Sequence, residues 1–210
     1  MRYWSFLLAY LLFTVSVAAQ EISLGLIGGG RYTTTALNEA IQYNGETLQI
    51  NSADLSLDPA AGAFLKLKLG GLFLQPEVHY ARSRAFLEVQ HSQGAPQQTL
   101  TVHRVDLPFL AGLEFFKAVR LYGGLNAGFI QSSEWTYDEP FWSTLELRDR
   151  TAVWSTLLGA GINIGRFTLD ARFERQLGHL YFNSTLGGQQ YVFKGQQEAV
   201  SAYIGFLLFK

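Results

Sequence analysis

The sequence predicts an all-β protein in which eight antiparallel strands close into an up-and-down barrel. Three observations lead to this prediction. Beyond residue 21, apolar and polar residues alternate with a period of two, no segment shows a convincing 3.6-residue helical period, and short connections alternate with long ones. Aromatic residues make up 14% of the chain and glycines number 21, a composition rich in strand and turn formers.

Residues 1–19 have the pattern of a secretory signal peptide. Arg2 precedes an apolar run from about Phe6 to Val17, and Val17 and Ala19 have the spacing that a signal peptidase recognises. The run is shorter than the roughly 20 apolar residues of a spanning helix. We therefore expect cleavage after Ala19, which leaves residues 20–210 as one barrel domain.

Eight stretches carry the alternation, and each places its apolar side chains on one face. In chain order they are ISLGLIGGGRYTT from Ile22, AFLKLKLG from Ala63, LFLQPEVHY from Leu72, VDLPFLAGLEF from Val105, RLYGGLNAGF from Arg120, WSTLLGAGIN from Trp154, FTLDARFER from Phe167 and VSAYIGFLLF from Val200. At about ten residues, each is long enough for a tilted strand to cross a bilayer.

The connections differ in length in a regular way. Three are predicted to be short: Gly70-Gly71, Ile164-Gly165 and residues 116–120. Four are long and polar: about 35–59, 84–100, 131–150 and 179–196. The first turn predicts the pairs Leu69–Leu72 and Phe64–Glu77, and the second predicts Ile162–Phe167 and Gly159–Asp170. All short turns then fall at one end of the barrel and all long loops at the other.

Alternation alone fits both a soluble, lipocalin-like barrel and an outer-membrane barrel. In the first the apolar face points inward, and in the second it meets lipid. Glycines concentrate on the polar face, where a narrow interior needs small residues: Gly25, Gly62, Gly112, Gly124, Gly128, Gly159, Gly161 and Gly205. Aromatics of the apolar face lie toward the strand ends: Tyr32, Tyr80, Trp154, Phe115 and Phe167. With the turn asymmetry, these patterns favour a transmembrane barrel with short periplasmic turns and long outer loops.

This topology fixes the direction of each side chain. We expect lipid-facing positions at Leu67, Leu74, Val78, Leu107, Leu125, Leu158, Leu169 and Ile204. We expect a polar network inside the barrel from Lys66, Lys68, Glu77, His79, Arg104, Asp106, Glu114, Asp170, Arg172 and Glu174. Asp170, Arg172 and Glu174 alternate on one strand face, which is the pattern of a salt-bridge ladder. Mutual pairing and trapped water would offset the cost of burying these charges.

Several stretches resemble a known family. LGGLFLQPEVHYARS, RVDLPFLAGLEF, LYGGLNAGF and LLGAGINIGRFTLDARFERQLGHLYFN resemble strands and glycine-rich hairpins of the PorT-like, Bacteroidetes-type outer-membrane β-barrel family. The resemblance covers the chain from about Glu21 to Lys210. It implies a small outer-membrane barrel of a Gram-negative bacterium. Unlike most such barrels, the chain ends one residue after its last aromatic, Phe209.

The sequence offers little for catalysis. Balanced charge, 16 Lys and Arg against 17 Asp and Glu, gives no sign of nucleic-acid binding, and the absence of cysteine excludes thiolate chemistry. His79 beside Glu77 could relay protons, but a hydrogen-bond network inside the barrel is the favoured explanation, because such barrels fill with polar residues in any case. His179 lies near Glu174, but it is followed two positions later by Tyr181, where the resemblance to small outer-membrane lipid A deacylases, with their H-x-S arrangement, would imply a serine. We predict no catalytic residue, no cofactor and no metal.

The long loop at 131–150 contains the aromatics Trp135, Tyr137, Phe141 and Trp142. Exposed aromatics suit contact with a partner or glycan, although they could also pack on one another or lie among lipid headgroups. We therefore expect a monomeric barrel surrounded by outer-membrane lipids, with a structural or interaction role and an envelope or secretion protein as its possible partner. The alternatives are an outer-membrane lipid-modifying enzyme and a soluble periplasmic ligand-binding barrel.

Overall fold

The structure is a computed structural model that describes residues 21–36, 38–43, 46–53, 56–90, 97–137, 145–147, 152–178, 180–186 and 189–209. Side chains are described for residues 21–34, 57–84, 101–132, 152–178 and 196–209. The predicted signal peptide lies outside the described residues. In the part that is described, no helix is long and apolar enough to cross a bilayer.

Twelve strands make up the described chain. They are β1 (Glu21–Ala36), β2 (Asn38–Tyr43), β3 (Glu46–Ala53), β4 (Ser56–Leu69), β5 (Leu72–Gln90), β6 (Gln97–Phe115), β7 (Val119–Tyr137), β8 (Leu145–Leu147), β9 (Val153–Ile164), β10 (Phe167–Gln176), β11 (Leu180–Leu186) and β12 (Gln189–Phe209).

Eight of these strands form a closed antiparallel barrel in the order β1-β4-β5-β6-β7-β9-β10-β12, and β12 pairs with β1 to close it. The predicted eight-stranded barrel is therefore confirmed. A path that follows direct cross-strand partners once around the wall starts at Ile22 and returns to the same strand at Tyr32. The closed sheet therefore has a stagger of ten residues. The path runs through Leu67, Leu74, Ala111, Gly123, Leu158, Phe173 and Val200. This stagger tilts the strands by roughly 40° from the barrel axis.

The prediction of long loops was wrong over much of their length. β5, β6 and β7 each run for 19 residues, so the wall continues well beyond ten-residue crossings. The shorter strands β2, β3, β8 and β11 add further pairs at the long-connection end. A search for alternating apolar residues misses these extensions, because paired strands that do not face lipid need no apolar face. Their polar residues resemble a loop in sequence, yet their backbones pair, as Glu88 does with Gln97.

The short turns agree with the prediction in part. Gly70 has the positive φ of 59° that a tight hairpin requires, and the predicted pairs Leu69–Leu72 and Phe64–Glu77 are present. The second turn lies at Gly165 and Arg166, one residue later than predicted. Phe167 therefore pairs with Ile164, and Asp170 pairs with Gly161. The third turn spans residues 116–118, so Arg120, which we had placed in this link, belongs to β7.

The outer wall is an apolar belt. Exposed residues on this face include Ile22, Leu26, Leu72, Val78, Leu107, Leu113, Leu121, Leu125, Leu158, Ile162, Leu169, Val200 and Ile204. The predicted rim aromatics Tyr32, Tyr80, Trp154, Phe115 and Phe167 are also exposed. Leu67 departs from the expectation: it pairs with Ile22 and Leu74 on the outer face, but it is only 3% exposed. An apolar exterior with a charged interior is the reverse of a soluble ligand-binding barrel.

Glycines make room inside the barrel for bulky neighbours. A Cβ built on Gly25 would collide with the ring of Phe64, and one on Gly159 would collide with the ring of Tyr122. Phe64 and Tyr122 are both buried in the interior. The predicted role of the inward glycines is thus confirmed at these positions, since an eight-stranded interior holds a large side chain only beside a very small one.

The apolar belt gives the first testable prediction. Ile204 is 59% exposed and lies near the middle of the belt on β12. Ile204→Arg should lower the free energy of unfolding in lipid vesicles by about 2–4 kcal/mol, because a guanidinium at the bilayer midplane is poorly solvated. Gln131→Arg, at an exposed position beyond the belt, is the control and should cost less than about 1 kcal/mol. Equal costs at the two positions would contradict the placement of the belt.

The lumen glycines give a second prediction. A Cβ at Gly112 would meet the carbonyl oxygen of Leu121 and lie 2.5 Å from Cβ of Tyr122, whereas one at Gly28 would meet nothing within 4 Å. Gly112→Ala should therefore destabilise the barrel by about 1–3 kcal/mol in urea unfolding, while Gly28→Ala should leave stability nearly unchanged. A stable Gly112→Ala barrel would show that the backbone can relax around the added methyl group.

Candidate functional site: the charged lumen

The lumen is built from the alternate side chains that the strands turn inward. On β10 this set is Thr168, Asp170, Arg172, Glu174 and Gln176, all buried between exposed neighbours. The same alternation brings Lys66 from β4, Glu77 and His79 from β5, and Arg104 and Asp106 from β6 into the interior. The polar residues predicted to face inward do so.

At the short-turn end, Glu114 accepts from two lysines. Lys66 Nζ lies 2.6 Å from Glu114 Oε2, and Lys68 Nζ donates to Glu114 Oε1. The Glu114 side chain is only 3% exposed. Two cations around one buried carboxylate leave a local excess of positive charge, which Glu21 partly offsets at 3.9 Å from Lys68.

The next layer is centred on Asp170. Arg120 Nη2 donates to both Asp170 oxygens at 3.0 and 2.9 Å, and the Tyr122 hydroxyl donates to Oδ1 at 2.6 Å. Arg120 also donates to Gln75 at 3.3 Å and is completely buried. Asp170 therefore has the dense set of donors that a buried carboxylate needs.

In the layer beyond Asp170, Arg172 and Glu77 form a bidentate ion pair across the lumen. The distances are 2.6 Å from Nη1 to Oε2 and 2.9 Å from Nη2 to Oε1. Gln75 donates to Glu77 at 2.6 Å, and His79 Nε2 lies 2.8 Å from Glu77 Oε2. The guanidinium of Arg172 lies 4.8 Å from the ring centroid of Tyr203, within the range of a cation–π contact.

Toward the long-connection end, two arginines share two carboxylates. Arg31 lies 3.4 Å from Asp106 and 3.1 Å from Glu174. Arg104 lies 2.8 Å from Asp106 and 3.7 Å from Glu174. Asn126 donates to Glu174 at 3.0 Å, and Ser155 also donates to it. This four-membered cluster links strands β1, β6 and β10 across the interior.

The observed partners correct the expected salt-bridge ladder. Asp170, Arg172 and Glu174 do not pair along β10; in the described lumen each finds its ionic partner on another strand. The narrow lumen brings opposite walls within reach of these three side chains, although neighbours on one strand pair elsewhere, as Arg104 does with Asp106 on β6.

Two arginines were missing from the predicted set. Arg31 follows three glycines in β1, directly before the outward Tyr32, and Arg120 had been assigned to a turn. Carrying the alternation through the glycines to Arg31, and one residue back from Leu121 to Arg120, would have found both. With them and Asp58, the described buried set has five cations (Arg31, Lys66, Arg104, Arg120, Arg172) and five anions (Asp58, Glu77, Asp106, Asp170, Glu174), and is neutral apart from His79. The partly buried pair of Lys68 and Glu114 adds one charge of each sign.

The described side chains of the lumen pack closely against one another. A cavity bordered by Arg31, His79, Asn126, Arg172 and other polar residues has room for roughly one ordered water. Arg31 Nε and Asn126 Oδ1, on its border, have no hydrogen-bond partner within the described protein. Such a site suits one bridging water. Nowhere in the described residues do three or more metal-ligating side chains gather into a metal site.

The predicted loop aromatics are only partly described. The backbones of Trp135 and Tyr137 belong to β7 and pair with Leu100 and Gln98 of β6. Phe141, Trp142 and His179 lie outside the described residues. Trp135 and Tyr137 therefore lie on a strand that extends the wall.

A closed eight-stranded wall, apolar outside and ionic inside, defines the class of a small transmembrane β-barrel of the bacterial outer membrane. The chain belongs to the outer membrane protein beta-barrel domain family, whose model matches residues 18–181. The protein therefore resides in the outer membrane, in contact with its lipids.

Solved structures agree with this fold. The crystal structure of the outer membrane protein OprG from Pseudomonas aeruginosa matches with a TM-score of 0.55 and 12% identity, covering 90% of this chain and 97% of that one. The solid-state NMR structure of the outer membrane protein AlkL in lipid bilayers matches with a TM-score of 0.51 and 12% identity, covering 91% and 92%. At this identity the likeness concerns the fold alone. No protein of curated function matches the sequence significantly.

The central ion pair gives a third prediction. Glu77→Gln keeps the shape of the side chain but leaves buried Arg172 without its carboxylate, so the free energy of unfolding should fall by about 3–5 kcal/mol in lipid vesicles. The matched control is Glu198→Gln, which breaks the exposed 3.4 Å pair with Arg175 and should cost less than about 1 kcal/mol.

A second variant separates the loss of the pair from the loss of the charge. Glu77→Leu combined with Arg172→Met removes both charges and should recover much of the stability that Glu77→Gln loses. If the double variant is no more stable than Glu77→Gln, the unpaired cation is not the source of the cost.

Proposed function

We propose that this protein is a non-enzymatic barrel with a structural or interaction role in the outer membrane, and that it acts through its outer strands. The observation that carries this proposal is the saturated lumen: its ionic side chains are engaged with one another, and the cavity among them has room for only about one water. An interior of this kind suits a filled core better than a solute path.

The histidine inside the barrel also fits a structural role. His79 is 3% exposed, and its Nε2 lies against a carboxylate that Arg172 already holds by two bonds. A general base needs a reactant within hydrogen-bond reach. A lipid would have to enter this packed space to meet His79. His79 therefore gives no support to the rival function, modification of envelope lipids.

The outer strands are the remaining candidate for recognition. β6 and β7 continue together from Arg104 and Ile130 to Gln98 and Tyr137, six residue pairs beyond the charged cluster. Because a strand rises about 3.3 Å per residue, this extension presents a surface of paired strands above the bilayer. Aromatic residues on rigid strands lose little conformational entropy on binding and are common at interfaces. A PorT-like role beside a surface or secretion assembly is one form of this proposal.

A lipid profile together with partner capture tests the proposal. Mass spectrometry of lipid A from cells with and without the gene should give the same species, and His79→Ala combined with His179→Ala should change nothing. Crosslinking on intact cells should capture an envelope partner, and Trp135→Ala with Trp142→Ala should weaken the capture while leaving the barrel folded. A lipid A species that appears with the gene and disappears with the histidines would overturn the proposal in favour of an enzyme.

A further inference from the structure

Three basic side chains lie together on the outer wall just above the apolar belt. They are Arg82 and Arg84 of β5 and His103 of β6, and we refer to them as the outer arginine patch. Arg82 is the direct cross-strand partner of His103. Both arginines are exposed, and His103 is half-buried.

The alternation along β5 shows which way the arginines point. Ala81, between Tyr80 and Arg82, is 1% exposed, and the hydroxyl of Ser83 is buried. Val78 and Tyr80, on the other face, are 46% and 52% exposed. Because side chains of a strand alternate between its faces, Arg82 and Arg84 share the outward face with Val78 and Tyr80.

The patch lies at the level of the lipid headgroups. Tyr80 belongs to the rim of exposed aromatics with Tyr32 and Trp154, and such rims mark the boundary between hydrocarbon and headgroups. Arg82 and Arg84 follow Tyr80 by two and four residues. At the barrel's tilt this places them about 5 and 10 Å farther along the axis.

Neither guanidinium has a carboxylate partner among the described side chains, and the facing residues on β6 are His103 and Thr101. The opposite wall differs at a similar height. There Arg175 lies directly across from Glu198 and pairs with it at 3.4 Å. Among the described side chains, the outer surface therefore has an arginine paired with a carboxylate on β10 and two arginines without a carboxylate partner on β5.

Part of the patch is held in place by the rim. The hydroxyl of Tyr80 lies 2.6 Å from Nδ1 of His103, and the two rings are 6.0 Å apart. This bond holds the imidazole of His103 beside Arg82. It involves Nδ1, so the tyrosine does not occupy Nε2. A fixed imidazole next to two guanidinium groups can present several N–H donors to one anion.

We propose that the outer arginine patch is a binding site for the phosphate groups of lipid A in the outer leaflet. The guanidinium fork matches a phosphate with two parallel hydrogen bonds. The acyl chains of a lipid held there would extend along the exposed Val78 and Leu107 below the patch. The proposal depends on the outer-membrane location but not on the role proposed for the outer strands, so either can fail without the other.

Native mass spectrometry of the purified full chain in detergent tests the site, with bisphosphorylated lipid A as the probe and the same lipid A stripped of its phosphates as the comparison. Binding of the phosphorylated form should be about tenfold tighter or more. Arg82→Gln combined with Arg84→Gln should abolish this preference. The matched control Arg175→Gln should bind like the parent, and far-UV circular dichroism checks that each variant is folded.

Two outcomes would overturn the proposal. One is equal binding of the two lipids by the parent protein, a result that needs no variant to fold. The other is an unchanged preference in the folded double variant. Added inorganic phosphate distinguishes the source of the anion: at a concentration equal to that of lipid A it should not displace the lipid. Displacement at that concentration would mean a site for free phosphate and would refute a lipid site.

Discussion

The narrow interior of a closed eight-stranded wall is the constraint on which the rest of this structure depends. A ten-residue stagger fixes the tilt, and with the strand number it fixes the width of the lumen. Every inward side chain must then fit beside those of the opposite wall. Glycine faces Phe64 and Tyr122 for this reason, and Arg172 reaches Glu77, 95 positions away in the chain, with both of its terminal nitrogens.

Neutrality follows from the same constraint. A lumen with little space for water cannot hold unpaired charge without a large desolvation cost, so cations and anions must balance where they lie. Burying the pairs adds little net stability, because desolvation offsets most of the attraction. Burying one of these charges away from its partner is very unfavourable for folding. A slip of one residue on a single strand would turn its charges toward lipid and its leucines toward the charged core, so the network strongly favours one register.

Closure also determines where a function can lie. Because paired side chains occupy the described interior, the surfaces proposed for recognition are the outer wall and the strands that continue beyond the belt. The outer wall carries charge at its upper rim, in the Arg175–Glu198 pair and in the outer arginine patch. The proposed binding of lipid A and the proposed contact with other envelope molecules therefore involve different parts of the wall.

The sequence alone determined the class of fold, because lipid on one side and a packed polar lumen on the other impose a period of two on every crossing strand. The faces of Lys66, Glu77, Asp106 and Arg172 followed from that period. The partners did not follow, since pairing across a lumen depends on the stagger and on which walls face each other. Sequence placed Asp170 in a ladder with Arg172, whereas the closed barrel pairs it with Arg120. Sequence also assigned the polar segments beyond the belt to loops, because a strand outside the bilayer has no apolar face to reveal it; only backbone pairing in the tertiary structure decided that the wall continues there.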